Sequence, residues 1–395
     1  MFVIDFEVVV DSLKNGLALS GGGFRATLYA LGSLIRLNEN GLLTELDTIT
    51  AVSGGAITAG YLMLNWNKLK FEKIEGYENR EKATNFEDVI VNPLLAFCGN
   101  NIVSRKKIAF YTLALWTSPA KEVEKKYKKL LFGDVKLKDI ELPDSAPEFI
   151  FYATNLDTGA SVRISKDYIR DYNLGVGNNH DITLAQAVSI SSAFPPFLTP
   201  TEVDGTGFQW DHEYLSPLPK DIVEKLRNKM SLCDGGLYDN LGLEMLWKHG
   251  RHKEYKVVFC CDAGSPFSKP WDVLSFLRNN WLYKSLRMTD VMINQQRALR
   301  KRTLVRNYLE HEYSGAYWSI ENNLINGAHN LIDDSQVNDY DKLKDLDTQL
   351  KSFGCKNNKM VVNIGYLHAD YSLTTWYGKG VSKSSKLPLA IKSKK

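Results

Sequence analysis

Two glycine-rich turns carry the residue types that acyl transfer requires. The first, Gly21-Gly22-Gly23, follows an apolar strand pattern and precedes a helical pattern. Such a turn leaves backbone N–H groups unpaired at a helix start, where negative charge is favoured. The second turn holds Ser53 between a strand pattern and Gly54-Gly55, so that its hydroxyl can project from a sharp bend. A serine beside free N–H groups indicates nucleophilic attack on an acyl group, with the first turn as the oxyanion hole.

Two other interpretations of the first turn fit less well. Gly21, Gly23 and Ala26 match the dinucleotide-binding pattern G-x-G-x-x-A. That pattern also requires an acid at the end of the second strand, where this chain has Ser53. A P-loop requires Gly-Lys-Ser or Gly-Lys-Thr after the turn, which this sequence lacks. The oxyanion hole is the preferred interpretation, and a nucleotide-binding module is the alternative.

The general base for Ser53 is expected to be Asp234. It lies in Asp234-Gly235-Gly236, where the glycines allow the backbone to approach closely, although an aspartate there could also simply form a turn. A carboxyl with an ordinary pKa of about 3.9 is a poor base for a hydroxyl, so we expect Asp234 to be desolvated and its pKa raised. The histidines offer no comparable context, and they are His180, His212, His249, His252, His311, His329 and His368.

Arg25 lies in the first turn of the helix that follows the glycines. A cation there opposes the helix dipole by about 0.3–1 kcal/mol, so a negative group should offset it. That group is either an acid of the protein or an anionic part of the substrate. Arg25 is therefore a candidate substrate-binding residue. Gly54, which follows Ser53, is the other candidate.

Four further serines compete for a role in the chemistry. Ser189, Ser191 and Ser192 belong to a predicted helix of small residues, which favours packing. Ser20 adjoins the glycine turn and either supports its structure or assists it through a hydrogen bond.

Strand and helix patterns alternate along the chain, which favours a parallel sheet with right-handed crossovers. Apolar and β-branched runs predict the strands, and apolar positions at helical spacing predict the helices. The predicted strands are residues 16–20, 48–52, 148–156, 256–262, 317–320 and 360–364, and the predicted helices are residues 24–40, 57–66, 184–193 and 271–308.

Together these motifs resemble the patatin-like phospholipase family, in its bacterial branch. Its three motifs occur here in the family's order at residues 21–25, 53–55 and 234–236, and the segments 153–159 and 187–200 resemble family core segments. The resemblance spans residues 14–265 and implies a three-layer α/β/α sandwich with a mainly parallel central sheet. It also implies a Ser53–Asp234 dyad without histidine, an oxyanion hole at Gly21, Gly22 and Gly23, and phospholipid or lysophospholipid acyl esters as substrates. Ala51 replaces the glycine usual before the serine.

We expect the chain to consist of a catalytic core at residues 1–265 and a C-terminal extension at residues 266–395 that packs on the core. The tail from Lys379 is basic and predicted to be flexible. In the extension, Arg297–Arg302 either forms a solvated basic helix end or binds a phosphate-rich ligand, since some bacterial relatives are switched on by cyclic nucleotides. An idle scaffold that binds a partner protein is a further alternative, and homo-oligomerisation stays open.

The composition excludes some classes of binding partner and cellular location. A formal net charge of +3 with 24% charged residues gives no nucleic-acid signature. The apolar run 108–116 is shorter than the ~20 residues of a membrane-spanning helix, and with its basic flank it could lie on a membrane surface or in the core. Acids at the N-terminus do not fit a signal peptide. The five cysteines show no ligand spacing. We therefore expect a cytoplasmic protein without metal or cofactor, in peripheral contact with the inner membrane surface.

Overall fold

A mixed sheet, with eleven strands among the described residues, forms the centre of the fold. The structure is a computed structural model that describes residues 13–77, 80–103, 118–195, 198–211, 216–247, 254–267, 281–323, 331–332 and 334–391. Its strands are β1 (Lys14–Leu19), β2 (Thr48–Ala51), β3 (Phe71–Lys73), β4 (Glu81–Ala83), β5 (Glu148–Asn155), β6 (Ser161–Ile164), β7 (Tyr168–Asp171), β8 (Gly175–Asn178), β9 (Thr201–Val203), β10 (Gln209–Trp210), β11 (Met230–Asp234), β12 (Tyr255–Asp262) and β13 (Ser314–Ser319). Strands β3 and β4 form a separate hairpin pair.

Helices pack against this sheet. They are α1 (Gly23–Glu39), α2 (Gly54–Asn65), α3 (Asn92–Cys98), α4 (Pro119–Tyr127), α5 (Leu184–Ser191), α6 (Lys220–Asn228), α7 (Gly236–Asp239), α8 (Trp281–Leu309), α9 (Asp334–Asp341) and α10 (Cys355–Ser372). Among the described residues, no helix combines the length and the apolar character needed to cross a bilayer.

Five adjacent strands, in the order β5-β2-β1-β12-β13, run parallel. Their side chains are almost all buried, as expected for parallel strands covered on both faces. This part of the sheet confirms the predicted α/β fold with a largely parallel central sheet. The last strand, β13, belongs to the C-terminal extension, so the extension completes the sheet of the core.

The other half of the sheet is antiparallel. Strands β6, β7, β8 and β10 continue outward from β5 as a meander. Strand β11 pairs antiparallel with the carboxyl end of β5, where Asp234 is opposite Ala153. Strand β2 pairs with the preceding part of β5, where Ala51 is opposite Phe151. The two strands thus run toward each other along the same neighbour, and their ends meet within a few residues.

Most predicted elements are confirmed within the described residues, with one exception. Residues 360–364 were predicted as a strand but lie in the middle of α10, which is buried around most of its circumference. A short apolar run within such a helix has the same pattern as a buried strand. Within the predicted flexible tail, Leu389 is buried and its backbone forms hydrogen bonds with the Asn363 side chain, and the flexibility of the tail stays a prediction. The apolar run 108–116 lies outside the described residues.

Candidate active site

Ser53 occupies the bend between β2 and α2 in a strained backbone conformation. Its φ of 50° and ψ of −116° are unusual for a residue with a side chain. The following glycines make the bend possible: a Cβ at position 54 would lie 2.0 Å from the carbonyl oxygen of Gly23, and a Cβ at position 55 would lie 2.6 Å from that of Leu19. The strain and the close packing fix the direction in which the Ser53 side chain projects.

Asp234 is the last residue of β11 and faces Ser53 across the gap between the two strand ends. The Ser53 side chain lies close enough to its carboxyl group to favour the charged form of that carboxyl. The Gly236 N–H donates to Oδ1 of the same carboxyl at 2.7 Å. Because β2 and β11 end beside neighbouring residues of β5, the sheet brings together two side chains that are 181 positions apart in the sequence.

Burial changes the acid strength of Asp234. Only 2% of the residue is exposed, and this desolvation raises the pKa of its carboxyl to about 7, against the weaker opposing effect of the Gly236 N–H and of the nearby Ser53 side chain. The expected desolvation of Asp234 is therefore confirmed. A carboxyl with a pKa near 7 can both accept and donate a proton at neutral pH.

Backbone contacts hold the two residues in place. The Ser53 N–H donates to the Ser191 hydroxyl at 3.0 Å. The Asp234 N–H donates to the Ala193 carbonyl at 3.1 Å, and the Thr154 hydroxyl donates to the Asp234 carbonyl at 2.9 Å. Ser191 thus supports Ser53 through its backbone, a role that the sequence did not indicate.

The remaining serines that compete with Ser53 have structural partners. The Ser189 hydroxyl donates to the Ala120 carbonyl and the Ser192 hydroxyl to the Val188 carbonyl, as expected for packing residues. The Ser20 hydroxyl accepts the Ala263 N–H at 2.7 Å and so ties the ends of β1 and β12 together.

The backbone N–H groups of the glycine turn differ in whether they are free to bind an oxyanion. The Gly22 and Gly23 N–H groups have no acceptor within the described part of the chain. Gly21 does not fit its predicted role as an oxyanion donor, because its N–H already donates to the Asn240 carbonyl at 3.0 Å. It instead lets the turn approach the serine: a Cβ at position 21 would lie 3.2 Å from the Ser53 Cβ. The N–H of Phe24 also has an acceptor, the Gln349 carbonyl, at 3.1 Å.

Asn240 is a neighbour of the site that sequence reasoning missed. Its Oδ1 would lie 2.4 Å from a Cβ at position 21 and 2.7 Å from a Cβ at position 236. Both glycines therefore leave room for this side chain beside Ser53 and Asp234. Its position, six residues after Asp234 in the same glycine-rich segment, could have indicated that it lies near the site.

A family model described as patatin-like phospholipase matches residues 17–247. This range is more than half of the chain and contains the glycine turn, Ser53 and Asp234. The chain belongs to the patatin-like phospholipase family. No curated protein matches it.

Solved structures similar to this patatin-like chain come from a human and a bacterial protein. Human GIVD cytosolic phospholipase A2 is 14% identical with a TM-score of 0.43, covering 72% of this chain and 49% of that chain. The same enzyme in complex with methyl gamma-linolenyl fluorophosphonate is 11% identical with a TM-score of 0.47, covering 93% and 59%. VipD from Legionella pneumophila is 17% identical with a TM-score of 0.38, covering 91% and 66%. The chain therefore spans about half to two thirds of these proteins.

Arg25 of this patatin-like chain is completely buried beneath the glycine turn. Its guanidinium donates to the carbonyls of Ala263, Lys344 and Leu346 and to the Ser265 hydroxyl, at 2.6–3.3 Å. Burial, followed by the nearby positive charge of Arg297, lowers its pKa to about 10, so it stays charged at neutral pH. Since every guanidinium nitrogen has an acceptor in the protein, Arg25 links the core to the extension, and substrate binding would require these bonds to break.

The basic end of α8, predicted to be either solvated or a ligand site, is largely engaged with acids of the protein itself. Arg297 pairs with Asp262 at 2.8 Å and with Glu321 at 3.0 Å. Arg300 pairs with Asp239 at 3.2 Å and with Glu244 at 2.8 Å. These two arginines are therefore occupied, and the geometry gives no support to a nucleotide site built on them.

Histidine takes no part in the Ser53–Asp234 arrangement within the described ranges. His180 contacts the Ser165 carbonyl and His368 contacts the Tyr29 hydroxyl, while His311 follows the end of α8. Across the same ranges, no cluster of three or more His, Cys, Asp or Glu side chains could hold a metal ion. The histidines that lie outside the described residues are His212, His249, His252 and His329.

Proposed function

We propose that this patatin-like protein is a serine acyl hydrolase that cleaves acyl esters of phospholipids or lysophospholipids. The observation that supports it best is that the Ser53 side chain lies beside a buried Asp234 carboxyl with a pKa of about 7, at strand ends that meet along β5. Family membership supports the lipid class of the substrate. In this proposal Ser53 is the nucleophile and Asp234 the general base, without a histidine.

The first half of the reaction forms an acyl-enzyme. Ser53 Oγ attacks the ester carbonyl carbon while its proton passes to the Asp234 carboxylate. The N–H groups of Gly22 and Gly23 stabilise the oxyanion, and Gly54 N–H, which also has no acceptor among the described residues, is positioned after the nucleophile to contribute. The tetrahedral intermediate then expels the alcohol, which takes the proton from Asp234.

The second half releases the fatty acid. Asp234, again a carboxylate, removes a proton from water, and the resulting hydroxide attacks the acyl carbonyl. Collapse of the second intermediate returns the proton to Ser53 Oγ and frees the enzyme. Because its pKa lies near 7, Asp234 can perform both proton transfers at neutral pH.

The lipid substrate implies a place of action. Phospholipids and lysophospholipids present their ester bonds at a membrane surface, so the proposal includes peripheral membrane contact. The nucleotide activator and the homo-oligomer considered from the sequence remain predictions.

A fluorophosphonate probe tests the nucleophile directly. We expect the wild type to be labelled at Ser53 and Ser53→Ala to be unlabelled, because the probe reacts with activated serines. Ser189→Ala is the matched control, since the hydroxyl of this serine donates to a backbone carbonyl of α4. Labelled peptides are identified by mass spectrometry, and folding is checked by circular dichroism.

Hydrolysis of defined esters then tests the substrate class. We expect release of fatty acid from phosphatidylcholine or lysophosphatidylcholine by the wild type and by Ser189→Ala, but not by Ser53→Ala. Labelling that persists in a folded Ser53→Ala variant would remove Ser53 from the mechanism. Labelling at Ser53 with cleavage of soluble esters but of no lipid would contradict the lipid substrate alone.

A further inference from the structure

Helix α8 presents two different faces. One face packs on the core through the paired Arg297 and Arg300 and the buried Leu304. The opposite face is open to solvent. It carries large apolar side chains, which globular proteins rarely expose in a row.

Four residues define this outer face of α8. At 100° per residue, their spacings of seven, four and seven positions place them within an arc of about 40° around the helix axis. They are highly exposed: Trp281 by 76%, Met288 by 64%, Met292 by 68% and Leu299 by 57%. An apolar line of this length on an exposed helix indicates a surface that meets an apolar partner.

The charged residues beside the outer face are mostly positive. Lys284 and Arg302 lie beside the apolar line and are exposed, as is Arg306, which pairs with Glu310 at 3.8 Å beyond the helix end. The single acid within the α8 sequence, Asp290, is nine positions after Trp281 and so lies on the opposite side of the helix. An apolar line bordered by cations matches a membrane surface with anionic headgroups.

We propose that the outer face of α8 binds an anionic lipid surface and holds the active site against it. This inference rests on the proposed lipid substrate. Arg300, on the inner face of the same helix, pairs with Asp239, which is five residues after Asp234. The surface that contacts lipid and the segment that carries the base are therefore joined by a direct ion pair.

A second copy of the chain fits the outer face less well than a lipid surface does. In a two-fold dimer the same patch meets itself, so the cations beside it would approach one another. Among the residues of α8, no carboxylate lies on the outer face to pair with Lys284 or Arg302. An anionic bilayer supplies both the apolar layer and the missing negative charge.

Vesicle co-sedimentation tests this proposal with the full chain. We expect binding to vesicles of phosphatidylcholine mixed with phosphatidylglycerol, and weaker binding to phosphatidylcholine alone or at high salt. The double variant Met288→Glu/Met292→Glu should lower the partition coefficient at least about tenfold, because burying even one methionine side chain is worth that factor. Trp376→Glu, which changes a side chain exposed by 69% outside α8, should bind like the wild type.

Two parallel measurements separate the possible outcomes. Hydrolysis of a soluble short-chain ester should be the same in all three proteins, since none of these side chains contacts the site. If the wild type did not hydrolyse the ester, the hydrolase proposal would be contradicted, but the vesicle-binding result could still be interpreted. Unchanged vesicle binding by the folded double variant would overturn the lipid surface. So would a wild-type dimer, measured by light scattering, that the double variant converts to monomer without any change in vesicle binding.

Discussion

At the scale of single residues, the burial that makes Asp234 a useful base also destabilises the fold. A carboxyl with a folded pKa of about 7 binds a proton more tightly in the native state than in the unfolded state, where its pKa is near 3.8. The native state is therefore favoured at low pH, where Asp234 is protonated in both states. It progressively loses this advantage as the pH rises from about 4 to about 7.

Asp234→Asn should abolish hydrolysis and stabilise the protein at the same time. The amide keeps the shape and cannot ionise, so at pH 8 the free energy of unfolding should rise by as much as about 4 kcal/mol. At pH 4 the gain should nearly vanish. Urea unfolding at both pH values measures the difference, and Asp144→Asn, at an exposed position, is the control. An equal change at pH 4 and pH 8 would contradict the linkage.

The residues of the site were predictable to the extent that their motifs are local. Ser53 and Asp234 each lie between a strand and glycines, and that context indicates their chemistry from sequence alone. The occupied N–H of Gly21 and the carbonyl partners of Arg25 were not predictable. They depend on Asn240 and Leu346, which are distant in sequence and carry no motif that points to a contact.

At the scale of elements, the crossing of α1 and α10 depends on two glycines. A Cβ at position 32 of α1 would lie 1.9 Å from the Val362 carbonyl oxygen. A Cβ at position 365 of α10 would lie 2.1 Å from the Tyr29 carbonyl oxygen. The two backbones are thus in direct contact, and α10 covers the helix that begins at the glycine turn.

Gly365→Ala should separate these helices and destabilise the protein. Overpacking of a close contact costs about 1–3 kcal/mol, and here the obstacle is backbone, which cannot rotate away. The thermal midpoint should fall, and fluorophosphonate labelling of Ser53 should decrease as α1 shifts. Gly207→Ala is the control, because a methyl group there meets nothing within 4 Å. A midpoint equal to that of the control would show that the helices separate without strain.

The parallel elements were predictable and the antiparallel ones were not, for a physical reason. Buried parallel strands such as β1 and β12 are continuous apolar runs, which stand out in the sequence. Strands β6, β7 and β8 have one partly exposed face, so their four-residue segments mix polar and apolar residues or contain glycine and resemble loops. Yet β11, which carries Asp234 to Ser53, belongs to this antiparallel part.

At the scale of the whole molecule, three arginines fasten the extension to the core. Arg25 reaches from the glycine turn to the carbonyls of Lys344 and Leu346. Arg297 and Arg300 reach from α8 to Asp262 and Asp239, the last residues of β12 and α7. With β13 in the central sheet, these contacts predict that the core and the extension unfold together.

Arg297→Met should show this coupling most clearly. Burial by itself raises the pKa of Asp262, but the Arg297 charge and hydrogen bonds outweigh it and hold that pKa below its ordinary value. Removing the arginine leaves a fully buried carboxyl unpaired, which costs about 3–5 kcal/mol. Arg302→Met, an exposed position on the same helix, should change the free energy of unfolding by less than about 0.5 kcal/mol.

The pH dependence of the Arg297→Met effect distinguishes the lost ion pair from simple loss of packing. A carboxyl with a lowered folded pKa stabilises the native state above its unfolded pKa, and this contribution disappears as the pH falls through the folded value. The deficit of Arg297→Met should therefore be full at pH 7 and shrink below about pH 4, where Asp262 becomes protonated. Urea unfolding followed by fluorescence measures it, and a single transition is expected throughout. A deficit in the free energy of unfolding that is equal at pH 3 and pH 7 would assign the effect of the variant to lost packing. A second unfolding transition in the wild type would show that the core and the extension unfold separately.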